Sequence, residues 1–475
     1  MNVTSLLDPH RYPHPVERVE LLETHISWLL LAGEFAYKLK KPVTLPFLDY
    51  GTVARRRACC EAELRLNRRY APQLYLGLVE FDGEPAVKMH RFDEAARLDR
   101  VSRRGELTPA HLSDLARTVA AFHADADAAP ADSRFGSPQT VLAAAMENFD
   151  ELDALLPAHT PKLARLRAWT AGEFERRRAT IAERKNQDRI RECHGDLHLG
   201  NLVLLENRVV PFDCIEFNDA LRWIDVANEI AFTYVDLFDH GKPGLACWLI
   251  SEWLVWSGDF GALALLPFYA VYRAVVRAKV AAIRGQADEA IEYLAMAETL
   301  TARTPPTLTI TFGLSGSGKT TRSSELLLAD TRAATVRLRS DVERKRLFGL
   351  APDADSGGAI YGTEATAQTY GRLAELARKA LGDGWSVIVD AAFLRRAERA
   401  AFRRLAHDAR VPFAILACTA PADDLRQRLA ARAGDASEAD AEVLERQFGW
   451  LEPLDEAEAA EIVSPDQSRP RSAGS

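Results

Sequence analysis

Residues 307–321 read TLTITFGLSGSGKTT, an apolar β-branched run that ends on Gly313, followed by the spacing G-x-x-x-x-G-K-T. Gly313, Gly316 and Gly318 lack Cβ atoms, so backbone N–H groups along the loop, those of Ser315 and Ser317 included, can turn inward on an anion. Lys319 brings a point charge to the β- and γ-phosphates of a nucleotide, and in the hydroxyl pair Thr320-Thr321 the Thr320 oxygen can ligate Mg²⁺. A second set of groups stands upstream. CHGDLHLGN carries Asp196 and, five residues on, Asn201; RVVPFDCIEF brings Asp213 twelve residues after that. Moving a phosphoryl group needs one carboxylate to orient the acceptor hydroxyl and separate oxygens to hold magnesium on the nucleotide. Asp196 suits the first task, and Asn201 and Asp213 suit the second.

Particular elements must form for these groups to meet. The glycine-rich loop needs a strand before it and a helix after it, and residues 322–328 have the composition of that helix. Residues 25–41 (HISWLLLAGEFAYKLKK) read as two strands around an Ala-Gly-Glu turn, with lysines closing the second strand. Residues 53–70 have helical periodicity and carry Glu61 and Glu63, either of which can pair with such a lysine. A lysine-bearing strand followed by a glutamate-bearing helix is how kinase-like folds hold the α- and β-phosphates. A long, mostly helical region, 108–189, then leads to the two short apolar strands that present Asp196, Asn201 and Asp213.

HGDLHLGN followed by VPFDCIEF resembles the aminoglycoside phosphotransferase family, a branch of the protein-kinase-like fold, over roughly residues 20 to 300. The resemblance implies an α+β kinase-like domain with Asp196 as catalytic base, Asn201 and Asp213 as metal ligands, Lys38 as the nucleotide lysine and Asp225 as a structural aspartate. No G-x-G-x-x-G precedes Lys38, which leaves Lys40 and Lys41 open as alternatives. His194 and His198 lie near acids, and they read as residues that fix the loop rather than bind zinc. Residues 259–302 are helical in composition and are expected to complete the larger lobe; Pro305-Pro306 then marks the domain boundary.

Beyond the boundary, helices alternate with short apolar strands: ATVRLR, SVIVD ending at Asp390, PFAILAC, and EIVS near Ile462. Alternation of this kind predicts an α/β domain with a parallel sheet and the phosphate loop at its strand ends. Asp390 fits an acid that holds magnesium through water. Asp341 follows the second strand and, with that strand beside the first, faces the same crevice, where it can orient an acceptor hydroxyl. A helix over 423–432 puts Arg428 and Arg432 four apart on one face, the placement a phosphate-clamping lid requires. Residues 307–464 resemble the predicted-kinase and zeta-toxin-like group of P-loop kinases. That resemblance assigns the corresponding roles to Lys319, Asp341, Asp390 and the lid arginines.

The 475 residues are too many for one core. The expected division is a kinase-like domain over 1–303, a P-loop domain over 307–464 and a disordered polar tail over 465–475. A hydrophobic share of 47% with 27% charged residues belongs to a soluble globular protein. A net charge of -8 and the lack of an aromatic-and-basic strand-binding stretch argue against a nucleic-acid partner. Six cysteines without a C-x-x-C pair fit a reducing cytoplasm. No apolar stretch is long enough to span a membrane, and nothing in the sequence specifies an oligomeric state. The reading is therefore a bifunctional transferase that uses ATP and Mg²⁺ on a small-molecule hydroxyl acceptor. The alternative is that the P-loop half is an ATP-binding regulatory switch, or that one domain is a catalytically silent nucleotide binder.

Overall fold

The computed structural model describes residues 2–45, 48–302, 304–357, 360–430 and 441–464. Its contacts divide into two compact units, Met1–Asp236 and Leu237–Ser475.

In the first unit β1 (Val19–Glu23), β2 (Ser27–Ala32), β3 (Phe35–Lys40), β4 (Tyr75–Phe81) and β5 (Glu84–His90) form an antiparallel sheet in the order β1-β2-β3-β5-β4. The hairpin between β2 and β3 turns through Gly33 at φ 59, as the Ala-Gly-Glu sequence leads one to expect. Helix α1 (Val53–Asn67) begins where the Thr52 hydroxyl accepts the Arg55 amide, and packs on β4 and β5. Leu30, Tyr37, Leu39 and Phe81 fill the core on the sheet's side. Three helices, α2 (Pro109–Asp125), α3 (Pro138–Leu155) and α4 (Thr160–Asn186), account for the helical region.

Strand β6 (Ile190–Glu192) leads into the HGDLHLGN loop, and β7 (Leu202–Leu205) and β8 (Arg208–Pro211) form a hairpin after it. Glu206 and Asn207 both take positive φ, 48 and 63, so a two-residue turn closes the hairpin. Strand β9 (Trp223–Asp225) pairs with β6, and α5 (Val226–Asp239) follows it.

In the second unit α6 (Pro243–Ser257), α7 (Leu266–Ile283) and α8 (Ala287–Thr301) precede the P-loop sheet. The 259–302 helices, expected in the first half's larger lobe, belong by contact to this unit. Helix α6 packs tightly on the helix Lys319–Leu328 and on the strand after it: a Cβ on Gly244 would lie 2.0 Å from the Leu328 carbonyl oxygen, and Ser251 accepts the Arg337 amide at 3.1 Å.

The sheet comprises β10 (Leu308–Phe312), β11 (Thr335–Arg339), β12 (Ser386–Asp390) and β13 (Phe413–Ala417), all parallel, in the order β11-β12-β10-β13. Helices α9 (Lys319–Leu328), α10 (Ser340–Leu347), α11 (Thr363–Gly382), α12 (Arg396–Asp408), α13 (Ala422–Ala430) and α14 (Ala441–Phe448) complete it. The second strand is thus not beside the first, as the sequence suggested; β12 lies between them. Parallel pairing needs a crossover, and crossovers let consecutive strands skip a place. EIVS forms no full strand: Ile462 makes a single parallel bridge to Ile415. Among the described residues no helix is long and apolar enough to cross a membrane. The expected tail, 465–475, lies outside the described residues.

Candidate active sites

The first site begins with the period of a strand. Lys38 and Lys40 are two apart on β3, so both face α1, where Glu63 is wholly buried. Lys38 Nζ donates to Glu63 Oε1 at 2.9 Å and also to Asp213; Lys40 Nζ donates to the other Glu63 oxygen and to Glu216. Lys41 instead pairs with Glu23. Of the three lysines and two glutamates left open by the sequence, Lys38 is the one that joins Glu63 to Asp213. Burial would lower the Lys38 pKa, but Asp213 and Glu63 outweigh it and hold it well above the usual lysine value. Burial likewise pushes Asp213 up, and the Lys38 charge overcomes it to leave the carboxyl below its ordinary range.

The β7–β8 hairpin explains the spacing of twelve between Asn201 and Asp213. Leu202 pairs with Pro211, and the Phe212 amide donates to the Asn201 carbonyl at 3.0 Å, so the hairpin returns the chain to its own start. Asp213 takes φ 65, and its amide donates to the Tyr75 hydroxyl at 3.0 Å. An aspartate accepts this left-handed conformation more readily than most residues, and the strain is of the kind stored at functional sites. Asn201 Nδ2 donates to the Asp196 carbonyl and to its carboxylate, each at 3.0 Å. Asp196, Asn201, Asp213 and Lys38 therefore form one cluster.

The histidines hold the loop. His194 Nε2 contacts the Phe212 carbonyl at 2.9 Å, and burial pushes its pKa down to about 4, which keeps the ring neutral. His198 Nδ1 accepts the Gly200 amide at 3.0 Å. Asp225, expected as a structural aspartate, pairs with buried Arg184 at 2.6 Å. No motif marks the residues that clamp the loop from α5. Glu229, fully buried, accepts the His194 amide at 2.6 Å and the Gly195 amide at 3.0 Å. Thr233 donates to the Leu197 carbonyl at 2.5 Å, and Asp236 accepts the Leu199 amide at 2.8 Å. The positions 229, 233 and 236 are the i, i+4, i+7 stripe of one helix face, and that polar stripe was the readable signal. His123 and Cys193 lie within 4.8 Å of a Glu229 oxygen, but both its oxygens already receive amides of the loop.

The second site is built on the end of β10. A Cβ on Gly313 would stand 2.2 Å from the Cys418 carbonyl oxygen, so only glycine fits there. The Thr311 hydroxyl donates to Ala391 O at 2.5 Å and accepts its amide at 3.0 Å, which fixes β12 and Asp390 against the cradle. Ser323 Oγ, from α9, donates to Asp390 at 3.1 Å. Lys319 Nζ donates to the Leu314 carbonyl at 2.7 Å, and Ser315 offers its amide to Gln447 Oε1 at 2.8 Å. Gln447 comes from α14, which no sequence motif marks.

A cavity of ≈ 870 Å³ is lined by Ser315, Gly316, Gly318, Lys319, Thr320 and Thr321 of the cradle together with Asp341, Asp390 and Arg428. Arg428 Nη1 donates to the Gly316 carbonyl at 3.3 Å; Arg432 lies outside the described residues. Ser317 Oγ is buried with no hydrogen-bond partner. An orphaned hydroxyl in a Cβ-free cradle beside Lys319 fits a nucleoside triphosphate, and Thr320 with Asp390 fits its magnesium ion.

Residues 60–245 match the model of the phosphotransferase enzyme family, and 308–454 match that of the AAA domain. An uncharacterized protein of Mycobacterium tuberculosis is 31% identical over 467 residues, covering 92% of each chain. Among solved structures, the GDP complex of aminoglycoside 2′-phosphotransferase-IIIa is 14% identical, covers 63% of this chain and 99% of its own, and superposes with a TM-score of 0.42. A sugar kinase from Janibacter is 22% identical and covers 34% of this chain and 90% of its own, with a TM-score of 0.28.

Proposed function

The chain belongs to the family of that mycobacterial protein, its own sequence matching the phosphotransferase enzyme family and then the AAA domain, and we propose that both halves are kinases. Each transfers the γ-phosphoryl group of ATP, as the magnesium complex, to a hydroxyl of a small molecule. The observation that carries this reading is the convergence of Lys38, Glu63, Asp213, Asn201 and Asp196 on one cluster. Mg-ATP, when bound, supplies an electrophilic phosphoryl group whose developing charge the metal neutralises. Lys38, oriented by Glu63, places a positive charge for the α- and β-phosphates. Asn201 and Asp213 supply the metal's oxygens, and Asp196 accepts the hydroxyl proton. In the second half the loop from Gly313 to Thr321, with Arg428, binds the phosphates; Thr320 and Asp390 hold magnesium, and Asp341 takes the part of Asp196. The division of these roles at residues 303–307 belongs to the same proposal.

A second reading rests on Gln447 and Lys319, which engage the cradle from within the protein. On that reading the second half binds nucleotide as a switch, and α14 leaves the loop when nucleotide enters. A ³²P-transfer screen of metabolite pools with the full chain decides between them. Two kinases require that Asp196→Ala and Asp341→Ala each abolish a different labelled product. A single product insensitive to Asp341→Ala leaves the second half as a switch.

A further inference from the structure

Seven arginines of the described chain are almost fully buried, and Arg344 differs from its peers in what it faces. Arg56, Arg184, Arg222, Arg337 and Arg399 each meet a carboxylate. Among the described residues Arg344, 6% exposed, meets only neutral groups: Nη1 donates to the Ile360 carbonyl at 3.2 Å and to the Thr366 hydroxyl at 3.3 Å, and the guanidinium lies 5.0 Å from the centre of the Tyr361 ring. Its Nε is buried with no partner. A buried cation without a counter-ion is costly, and a guanidinium presents a planar fork matched to a carboxylate or phosphate.

Its position says where that anion comes from. Arg344 stands three residues after Asp341 on α10, hence on the same face, and both line the cavity of the second site. Six cationic side chains line that cavity against three carboxylates, an excess of positive charge. We propose that the acceptor phosphorylated by the second half carries an anionic group, a carboxylate or a phosphate ester, and that Arg344 receives it while Asp341 orients the hydroxyl. This rests on the kinase reading of the second half. The acceptor oxygen bonds to the γ-phosphorus as the bond to the β–γ bridging oxygen breaks, and the hydroxyl proton passes to Asp341. Arg344 makes no bond to the reacting atoms; it fixes which compound can place a hydroxyl there.

The test uses the full chain with the first site silenced by Asp196→Ala. D-gluconate, D-glucose 6-phosphate, D-glycerate and glycerol 3-phosphate are compared with their neutral parents, D-glucose and glycerol. The proposal expects one anionic class to be phosphorylated with kcat/KM at least tenfold above its parent; the class used separates carboxylate from phosphate recognition. Arg344→Met then raises KM for that acceptor at least tenfold, with kcat and the KM for ATP changed less than threefold. If Arg344→Met does not fold, Arg344→Lys is measured instead, and a KM raised severalfold supports the fork. Neutral parents used as well as the anions, or an unchanged KM in the folded variant, overturns the proposal. If nothing is phosphorylated the kinase reading fails, and binding to ADP-loaded protein decides the anion site alone. A thermal shift with an anionic probe, lost in the Arg344 variant, supports the site; no shift with any of the four overturns it.

Discussion

Replacing Glu229 by glutamine tests whether the loop carrying Asp196 is held from α5 rather than by its own motif. The wild-type carboxylate is fully buried and accepts two amides, His194 N at 2.6 Å and Gly195 N at 3.0 Å. Glutamine is nearly isosteric but has one oxygen, so one amide meets an NH₂ donor and loses its partner. A hydrogen bond to a charged group contributes about 1.5–3 kcal/mol, and an orphaned buried donor costs about 1–3 kcal/mol. The expected loss of stability is about 2–4 kcal/mol, read as a lower urea midpoint with an unchanged m-value. Asp196 is one residue beyond Gly195, and a displacement near 1 Å of a reacting group costs about 10²-fold in rate. In the full chain with Lys319→Ala silencing the second site, transfer by Glu229→Gln drops about 10²-fold at an ATP KM within a few-fold of the parent. A variant that keeps its stability and transfers within twofold of the parent would show that α5 does not position the loop.

Asp341→Asn, on the same logic applied to the second half, leaves ATP binding within a few-fold of wild type and lowers phosphoryl transfer by about 10²–10⁴; an unchanged rate removes Asp341 from the mechanism. Glu192 is buried among Arg65, Arg69 and Arg222; burial raises its pKa, and the arginines reverse this and bring it down to about 2. Because the folded pKa is below the unfolded one, the stability it contributes is complete above about pH 4.5 and is lost as pH falls from there toward 2. The difference is about 3 kcal/mol, so the melting temperature of Glu192→Gln, lower at pH 7, should converge on wild type near pH 2. Limited proteolysis should cut between Ala302 and Thr307 and leave two folded pieces, which co-elute because α6 packs on β11 and α9. Cleavage confined to the interior of either piece contradicts that division.

Contiguous residues determined much of this protein. The P-loop is written in glycines whose missing Cβ atoms make the backbone path, and Asn201 meets Phe212, the neighbour of Asp213, because a two-residue turn folds the intervening strands back. Both effects act within a few residues, so spacing alone carries them; the α/β class of the second half follows from alternating strands and helices, and the kinase-like class of the first from the resemblance carried by HGDLHLGN and VPFDCIEF. Tertiary structure decided what depends on side chains brought from afar. Strand phase turned Lys38 and Lys40 together toward Glu63 and left Lys41 out, and the resting place of Asp213 alone set Lys38 apart from Lys40. The order of the parallel sheet, with β12 between β10 and β11, is likewise a property of the tertiary fold, since crossovers let consecutive strands skip a place. Glu229 reaches the HGDLHLGN loop from 35 residues away, and Gln447 reaches Ser315 from 132. A glutamate or glutamine on a helix is ordinary in sequence; only burial, which removes water and obliges each polar group to find a partner, gives it one particular task.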